Sequence, residues 1–510
     1  MSGTKIAIDE PRTQSRKMSV ENDKDRLILV TGATGYIGGR LVPRLLELGY
    51  RIRCLVRDPA PLQGYSWRSA VEIVTGDVLQ PDTLVPAMQG VSAAYYLIHS
   101  MLAGSDFHQL DLIAAFNFGT AARAAGVERI IFLGGLAEST SDLSQHLRSR
   151  LQTGDTLRSA GVPVTEFRAG VIVGSGSISF EMIRYLTERV PTMICPRWVY
   201  TPCQPIGIGE VVEYLATALV VPESSARIIE IGGSEIISYG DMMMIYADIR
   251  GLKRWMMPVP ILTPLLSSYW VNLVTPIPAS IARPLIQGLR NESTVHDPIA
   301  RQIFPGIQPV DYRTSVERAL AQLDPGRIES IWNDALNTAG SDDHPVRVTV
   351  HEGMILEHHQ RIVPASAEAV YRTFTSLGGE RGWFNIDWAW RLRGFLDRMV
   401  GGVGFRRWRR DPDELQVGNV LDFWRVETLE PERLLRLRAE MKLPGKAWLQ
   451  WRVTPQEEEK TLLSQTTFFA PRGLTGWLYW YSLYPLHRLI FRKLVDQIAN
   501  RAVSSKSKQD

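Results

Sequence analysis

The sequence predicts a doubly wound parallel α/β sheet followed by a separate α+β unit. Three observations lead there. A glycine-rich turn, "TGATGYIG" at 31–38, follows an apolar run and opens an amphipathic one. From there to about residue 170, short apolar runs alternate with helical ones, which implies parallel strands covered on both faces. Beyond residue 345, apolar runs follow one another with short polar connections, as in an antiparallel sheet. Nine of the 14 tryptophans also lie beyond 345, so the composition shifts with the pattern.

The elements can be read in order. "RLILVTG" is strand one, and "YIGGRLVPRLLELG" is a helix with apolar residues at 37, 41, 45, 46 and 48 and Gly49 at its end. "RIRCLVR", "VEIVTGD" and "SAAYYLIH" are strands two to four. The long helix "FHQLDLIAAFNFGTAARAAG" precedes strand five, "VERIIFLGG". Residues 143–160 form the next helix and "VPVTEFRAG" strand six. After Gly170 the rhythm loosens into helices and one strand, "ARIIEIGG", the expected substrate-side lobe, and then a polar segment through "SVERALAQL".

Between Arg254 and Arg283 there is no charge. Pro258, Pro260, Pro264, Pro276 and Pro278 interrupt that stretch and exclude a membrane-spanning helix of ~20 apolar residues. A buried cap over a ligand pocket and an interfacial segment on a membrane remain as readings. The small, polar, acidic "NTAGSDDHP" marks a linker at 336–345. The expected organisation is a disordered tail 1–25, a nucleotide-type unit with its lobe over 26–335, the linker, a second unit over 346–503, and a tail 504–510. In the second unit we expect a strand over "VTVHEGMILEHHQRIV", a helix over "SAEAVYRTFTSLGG", four paired strands, and a helix from about Trp477 to Ala502 broken early by Pro485.

The formal charge of +3 and the absence of a basic stripe give no argument for nucleic acid. The N-terminus lacks an apolar signal core, and Cys54, Cys195 and Cys203 form no C-x-x-C pair and no metal spacing, which fits a reducing, cytoplasmic setting. No metal site is expected.

The glycine turn sits in the context a dinucleotide requires. Gly32 permits the tight turn. Gly35 lets backbone approach a pyrophosphate at the helix N-terminus. Gly38 allows close helix–strand packing. Thr34, Tyr36 and Ile37 complete the turn. Arg57 at the tip of strand two suits a 2′-phosphate, so NADP is expected, with NAD the alternative. Asp77 and Val78 after strand three would flank the adenine, and His99 after strand four would lie beside the ribose and nicotinamide.

"TGATGYIGGRL", "LVRD" and "GDV" together resemble the short-chain dehydrogenase/reductase superfamily in its atypical branch, the NmrA-like regulators and the nucleotide-binding accessory subunit of respiratory complex I included, over about residues 26–330. That resemblance implies a Rossmann fold, with pyrophosphate on Gly32, Gly35 and Gly38, ribose read by Arg57 and adenine met by Asp77. It also implies a Ser, Tyr and Lys working set that this chain lacks. The Ser place falls on Gly135, no Tyr-x-x-x-Lys occurs, and the helix instead offers His146 and Arg150 at i, i+4. Three readings stand side by side. His146 is a substitute acid with Arg150 holding ribose or substrate; the proton comes from water or substrate; or the nucleotide binds without turnover.

The order strand, helix, antiparallel strands, long terminal helix resembles the START-like (SRPBCC) helix-grip superfamily of lipid and polyketide binders. This implies an apolar cavity between sheet and helix, lined by Trp424, Trp448, Trp451, Trp477 and Trp480. "GFRRWRRDP" at 404–412 is either a solvated loop or an anionic head-group contact. The leading expectation is an NADP(H)-dependent oxidoreductase of a small lipophilic carbonyl or quinone-like compound. The alternative is a non-catalytic NADP(H)-sensing, assembly or regulatory protein, peripheral to a membrane. The sequence leaves the oligomeric state open.

Overall fold

A computed structural model of the chain describes residues 26–99, 107–137, 143–259, 279–321, 347–351, 353–378, 382–383, 394–395, 397, 399, 415–456 and 460–506. The expected N-terminal tail, the 336–345 linker, "GFRRWRRDP" and residues 260–278 of the uncharged stretch lie outside them.

The first unit runs β1 (Leu27–Thr31), α1 (Gly38–Glu47), β2 (Arg51–Val56), β3 (Glu72–Thr75), α2 (Leu84–Met88), β4 (Val91–Tyr96), α3 (Phe107–Ala124), β5 (Arg129–Gly135), α4 (Gln145–Ser159) and β6 (Val164–Ala169). Its lobe adds α5 (Ile178–Arg189), β7 (Thr192–Pro196), α6 (Ile208–Thr217), β8 (Ile228–Ile231), α7 (Tyr239–Ile249), β9 (Trp255–Val259), α8 (Ala279–Gly288) and α9 (Tyr312–Ala321). The sheet has the order β8-β6-β5-β4-β1-β2-β3, and every pairing in it is parallel. Every residue of β1 is buried because helices cover both faces. Leu41 and Leu45 of α1 and Val211 and Leu215 of α6 pack on one face. Ala115 and Phe118 of α3 and Leu157 of α4 pack on the other. The strand order reverses between β1 and β4, and such a switch point opens a crevice beyond the carboxyl ends of the strands.

The second unit runs β10 (Arg347–His351), β11 (Met354–Val363), α10 (Ala367–Thr375), β12 (Val420–Leu421), β13 (Trp424–Glu430), β14 (Leu434–Ala439), β15 (Gly445–Pro455), β16 (Thr461–Pro471) and α11 (Gly473–Lys506). Its antiparallel sheet has the order β10-β11-β16-β15-β14-β13-β12.

Five expectations need correction. The single strand over 348–363 is a hairpin, because Gly353 at φ 79° turns the chain. α11 runs through Pro485 unbroken. Packing on both sides holds it there: Trp477 and Trp480 before the proline are buried, as are Leu494 and Ile498 after it. The same helix takes in Ser504–Lys506, which the sequence suggested as tail. "SVERALAQL", expected as a polar segment, lies within the helix α9 through Ala321. The five tryptophans do not line one chamber. Trp451 stacks on Phe374 (centroids 5.9 Å) and donates Nε1–H to Gln465 Oε1 (2.8 Å), and Trp424 joins the same core. Trp477 and Trp480 instead pack with Tyr185 of α5, Ile355 and Phe469 where the two units meet. Trp448 packs with Met354, Leu356 and Phe468.

The units are tied by polar contacts. Arg250 Nη2 donates to Pro471 O and Arg472 Nε to Arg250 O, both at 3.0 Å, and Glu188 Oε2 accepts from Gly473 N–H. No described helix is long and apolar enough to cross a membrane. Within the uncharged stretch, β9 pairs in parallel with β7 and leaves Trp255 73 % exposed, and the cap expected over the rest of the stretch falls mostly on residues 260–278, outside the described residues.

Candidate nucleotide site and a buried histidine pair

β1 ends at Thr31, whose hydroxyl donates to Tyr95 O (2.8 Å) and accepts from Leu97 N–H (3.2 Å). This fixes the end of β4 against the glycine turn. Gly32 has φ 68°, and a Cβ there would lie 2.7 Å from Leu97 O. A Cβ on Gly38 would lie 2.2 Å from Gly32 O. Both are therefore obligatory glycines, and the close approach leads the backbone straight into α1. Gly35 donates N–H to Gly32 O (2.9 Å) and remains exposed with Thr34. No side chain caps α1; its Gly39 and Arg40 amides donate to Gly35 O (2.9 Å) and Ile37 O (3.1 Å), so an anion here meets the exposed turn ahead of them and the positive end of the helix. Such a cradle fits a dinucleotide pyrophosphate.

Tyr36 and Ile37 point away from this role. The Tyr36 ring lies under the Arg40 guanidinium (4.0 Å), and its hydroxyl occupies the space a Cβ on Gly174 would fill. Ile37 packs against the core. Arg57, directly after β2, is exposed and makes no hydrogen bond or ion pair among the described residues. The neighbouring Asp58 spends Oδ1 on its own loop, accepting from Ala60 N–H (2.9 Å). Asp77 is similarly engaged by Leu79 N–H (3.0 Å). Val78 is buried in the core, and its carbonyl accepts from Asn117 Nδ2 (3.0 Å).

Beyond β4, the structure joins residues the sequence assigned to different tasks. His99 Nδ1 lies 2.9 Å from Asp111 Oδ2 on α3, and His99 Nε2 lies 3.2 Å from His146 Nδ1 on α4. Ser149, one turn on from Gln145, donates its hydroxyl to the same Asp111 oxygen (3.2 Å). Asp111 is 1 % exposed. A carboxylate only accepts, so His99 carries its proton on Nδ1 and its Nε2 accepts from His146 Nδ1–H. His146 Nε2, which makes no hydrogen bond among the described residues, then presents a lone pair. Burial is the main cause holding His99 below the usual histidine range, against the Asp111 hydrogen bond that raises it. Burial, then His99 and Arg150, push His146 down to about 3. The resting pair is therefore neutral at pH 7.

Arg150, one turn on from His146, is engaged by the ends of the strands. It is 8 % exposed, donates to Ile98 O (3.2 Å) and to Leu133 O, and sits over the Phe132 ring at 4.8 Å. It thus joins α4 to the ends of β4 and β5. At the place of the missing serine, a Cβ on Gly135 would meet the end of the Leu147 side chain at 3.1 Å, so α4 docks closely on the end of β5. Asp111 and Ser149 were not singled out from the sequence. The signal available was a lone acid inside the otherwise apolar "DLIAAF".

Cys54, Cys195 and Cys203 are buried thiols, with burial pushing them up to about 12, 11 and 12, so none is poised as a nucleophile.

Residues 32–170 match the family model described as NAD(P)H-binding, and residues 353–494 match one described as protein of unknown function (DUF2867). The photosystem II assembly factor Ycf39 of Cyanophora paradoxa is 24 % identical over 238 residues, 46 % of this chain and 72 % of that protein. The ceramide reductase of Caulobacter vibrioides is 31 % identical over 174 residues, and the match spans about half of that protein (54 %) and 34 % of this chain. Among solved structures, the triphenylmethane reductase of Citrobacter sp. superposes with a TM-score of 0.47 at 21 % identity, covering 58 % of this chain and 99 % of that one. The quinone oxidoreductase QOR2 of Escherichia coli, complexed with NADPH, gives 0.47 at 19 %, covering 57 % and 99 %. The match of residues 32–170 and the parallel sheet order make the first unit an NAD(P)H-binding domain with a Rossmann sheet.

Proposed function

We propose that the chain is an NADPH-dependent reductase of a lipophilic carbonyl or quinone-like compound, in which His99 and His146 carry the proton. The observation that supports this most is the chain Asp111–His99–His146, which opens at the same end of the sheet as the glycine turn. Leu97 touches Gly32, and His99 follows two residues later. A structural histidine gains little from a second histidine 3.2 Å away, whereas a proton route needs that contact.

Reduced nicotinamide supplies a hydride when bound. Gly32, Gly35 and the first turn of α1 hold the pyrophosphate. Arg57, unpaired and exposed, meets a 2′-phosphate, and the engagement of Asp58 in its own loop favours NADPH over NADH. Solvent supplies a proton to the lone pair on His146 Nε2, and the transient imidazolium passes it to the substrate oxygen as the hydride reaches carbon. His146 Nδ1–H stays hydrogen-bonded to His99 Nε2, and the Asp111 carboxylate behind His99 stabilises the positive imidazole. Arg150 is a positioning residue that fixes α4 on the strand ends.

The second unit is read here as a helix-grip domain that gathers the lipophilic compound. Its support is the antiparallel sheet with α10 and α11 packed across it. The relatives named as reductases and the one named as an assembly factor divide between the two expectations raised by the sequence, and the paired histidines favour the first. The test is NADPH consumption by purified protein across lipophilic quinones, enones and ketones. Turnover that falls at least tenfold in His146→Asn with unchanged NADPH affinity supports the reading. Tight NADPH binding with no turnover on any class contradicts it.

A further inference from the structure

A cavity of about 400 Å³ lies between the two units, away from the nucleotide turn. α5 and α7 form one wall; the β10–β11 turn, the β15–β16 end and the start of α11 form the other. Its charged lining is unbalanced. Arg184, Arg250, Lys446 and Arg472 face a single carboxylate, Glu188. Glu188 is already taken: Oε1 accepts from Arg250 Nε (2.6 Å) and Tyr246 OH (3.0 Å), and Oε2 from Gly473 N–H. Lys446 and Arg472 make no ion pair among the described residues.

Two buried donors in the lining lack acceptors. Arg184 is 4 % exposed; Glu181 takes Nη2 and the Tyr185 hydroxyl lies beside it, but Nε and Nη1 have no hydrogen-bond partner. Its guanidinium lies against the Gly353 turn, where any Cβ would strike it. Trp448, 5 % exposed, likewise leaves its indole Nε1–H without an acceptor. A buried donor without an acceptor costs about 1–3 kcal/mol, and a ligand oxygen removes that cost. Trp477, with the Arg189 guanidinium 3.8 Å from its ring, and the Tyr185 ring supply an apolar, aromatic side.

We infer that this junction is a binding site for an anionic amphipathic ligand, an oxyanion carried on an aromatic or apolar body. Arg184 and Trp448 donate to the oxyanion. Lys446 and Arg472 attract it from the rim, and Trp477 and Tyr185 pack against the body. Because its walls come from both units, occupancy also stiffens their junction. The inference is independent of turnover at the nucleotide site.

The experiment is calorimetric titration of the full chain with phenyl phosphate, inorganic phosphate and phenol. Lys446→Glu changes an exposed rim residue and leaves the fold intact, and Arg184→Lys keeps the charge but removes the fork. We expect one equivalent of phenyl phosphate to bind at least tenfold more tightly than either fragment. Lys446→Glu weakens it at least tenfold with NADPH binding unchanged, and Arg184→Lys weakens it comparably. Absence of phenyl phosphate binding, or binding that neither variant changes, overturns the inference. Equal affinity for phosphate and phenyl phosphate overturns the amphipathic ligand class.

Discussion

Replacing His146 by Asn turns the buried pair into a thermodynamic measurement. The Asn side chain keeps an N–H near the Nδ1 position that meets His99 Nε2, but it does not titrate. In the folded protein His146 is pushed down to about 3, mainly by burial. Its unfolded value is about 6.5. A histidine whose folded pKa is depressed stabilises the fold fully above the unfolded value, and that contribution is lost as pH falls from about 6.5 towards the folded value. At pH 5 the unfolded chain gains about 2 kcal/mol from protonating this one side chain, while the folded chain gains almost nothing. The wild type should therefore lose about 2 kcal/mol more stability than His146→Asn between pH 8 and pH 5. Urea unfolding followed by circular dichroism at both pH values reads the difference. Equal losses in the two proteins, or a histidine resonance assigned to position 146 that titrates above pH 6, would refute the burial argument and the neutral pair with it.

Other outcomes follow from particular contacts. Asp111→Asn should lower reductive turnover by about 10²-fold or more at pH 7 and leave NADPH affinity unchanged, since the carboxylate faces His99 and not the phosphate cradle; steady-state kinetics beside a binding titration separates the two. Gly38→Ala, which places Cβ 2.2 Å from Gly32 O, should abolish nucleotide binding and cost about 1–3 kcal/mol, read by thermal melting and tryptophan-to-NADPH energy transfer. Arg57→Ala should weaken NADPH binding at least tenfold and NADH binding little, measured by the same titration. Leu494→Ala, fully buried in the second unit, should cost about 2–5 kcal/mol, whereas Leu489→Ala, 50 % exposed on the same helix, should cost under about 0.5 kcal/mol.

The parallel sheet was legible because its strands are nearly continuous apolar runs, buried on both faces and punctuated by glycine. "LILVT" has five buried residues in five, and Gly32 and Gly38 stand where only glycine fits. The antiparallel sheet was legible in its consecutive strands with short polar connections, but the 348–363 segment hid a hairpin. Its apolar residues continue across "HEG", and only the positive φ of Gly353 decides the turn. Local proline rules failed at Pro485 because tertiary packing on both sides of it outweighs one lost hydrogen bond. Spacing within a helix placed His146 and Arg150 on one face, but it says nothing about depth. Arg150 reaches the strand ends instead of the crevice, and His146 meets a histidine from a distant loop. Asp111 was hidden for the same reason, since its role depends on a contact 35 residues away in sequence from α4's His146, bridged by His99. The place for the usual serine fell on Gly135, where Leu147 of α4 docks within 3.1 Å of a would-be Cβ.

The account's central claim is that the histidine pair, neutral at rest, relays a solvent proton to the substrate while NADPH delivers the hydride. The most direct test is single-turnover oxidation of prebound NADPH by an accepted lipophilic quinone or ketone, followed across pH in wild type and His146→Asn. Since His146 is held down to about 3, its protonated form is a small fraction near neutrality, and the wild-type rate should rise continuously as pH falls from 8 towards 5, while the variant should be slow and flat. A variant that matches the wild-type rate and pH profile would contradict the claim and assign the proton to water or substrate.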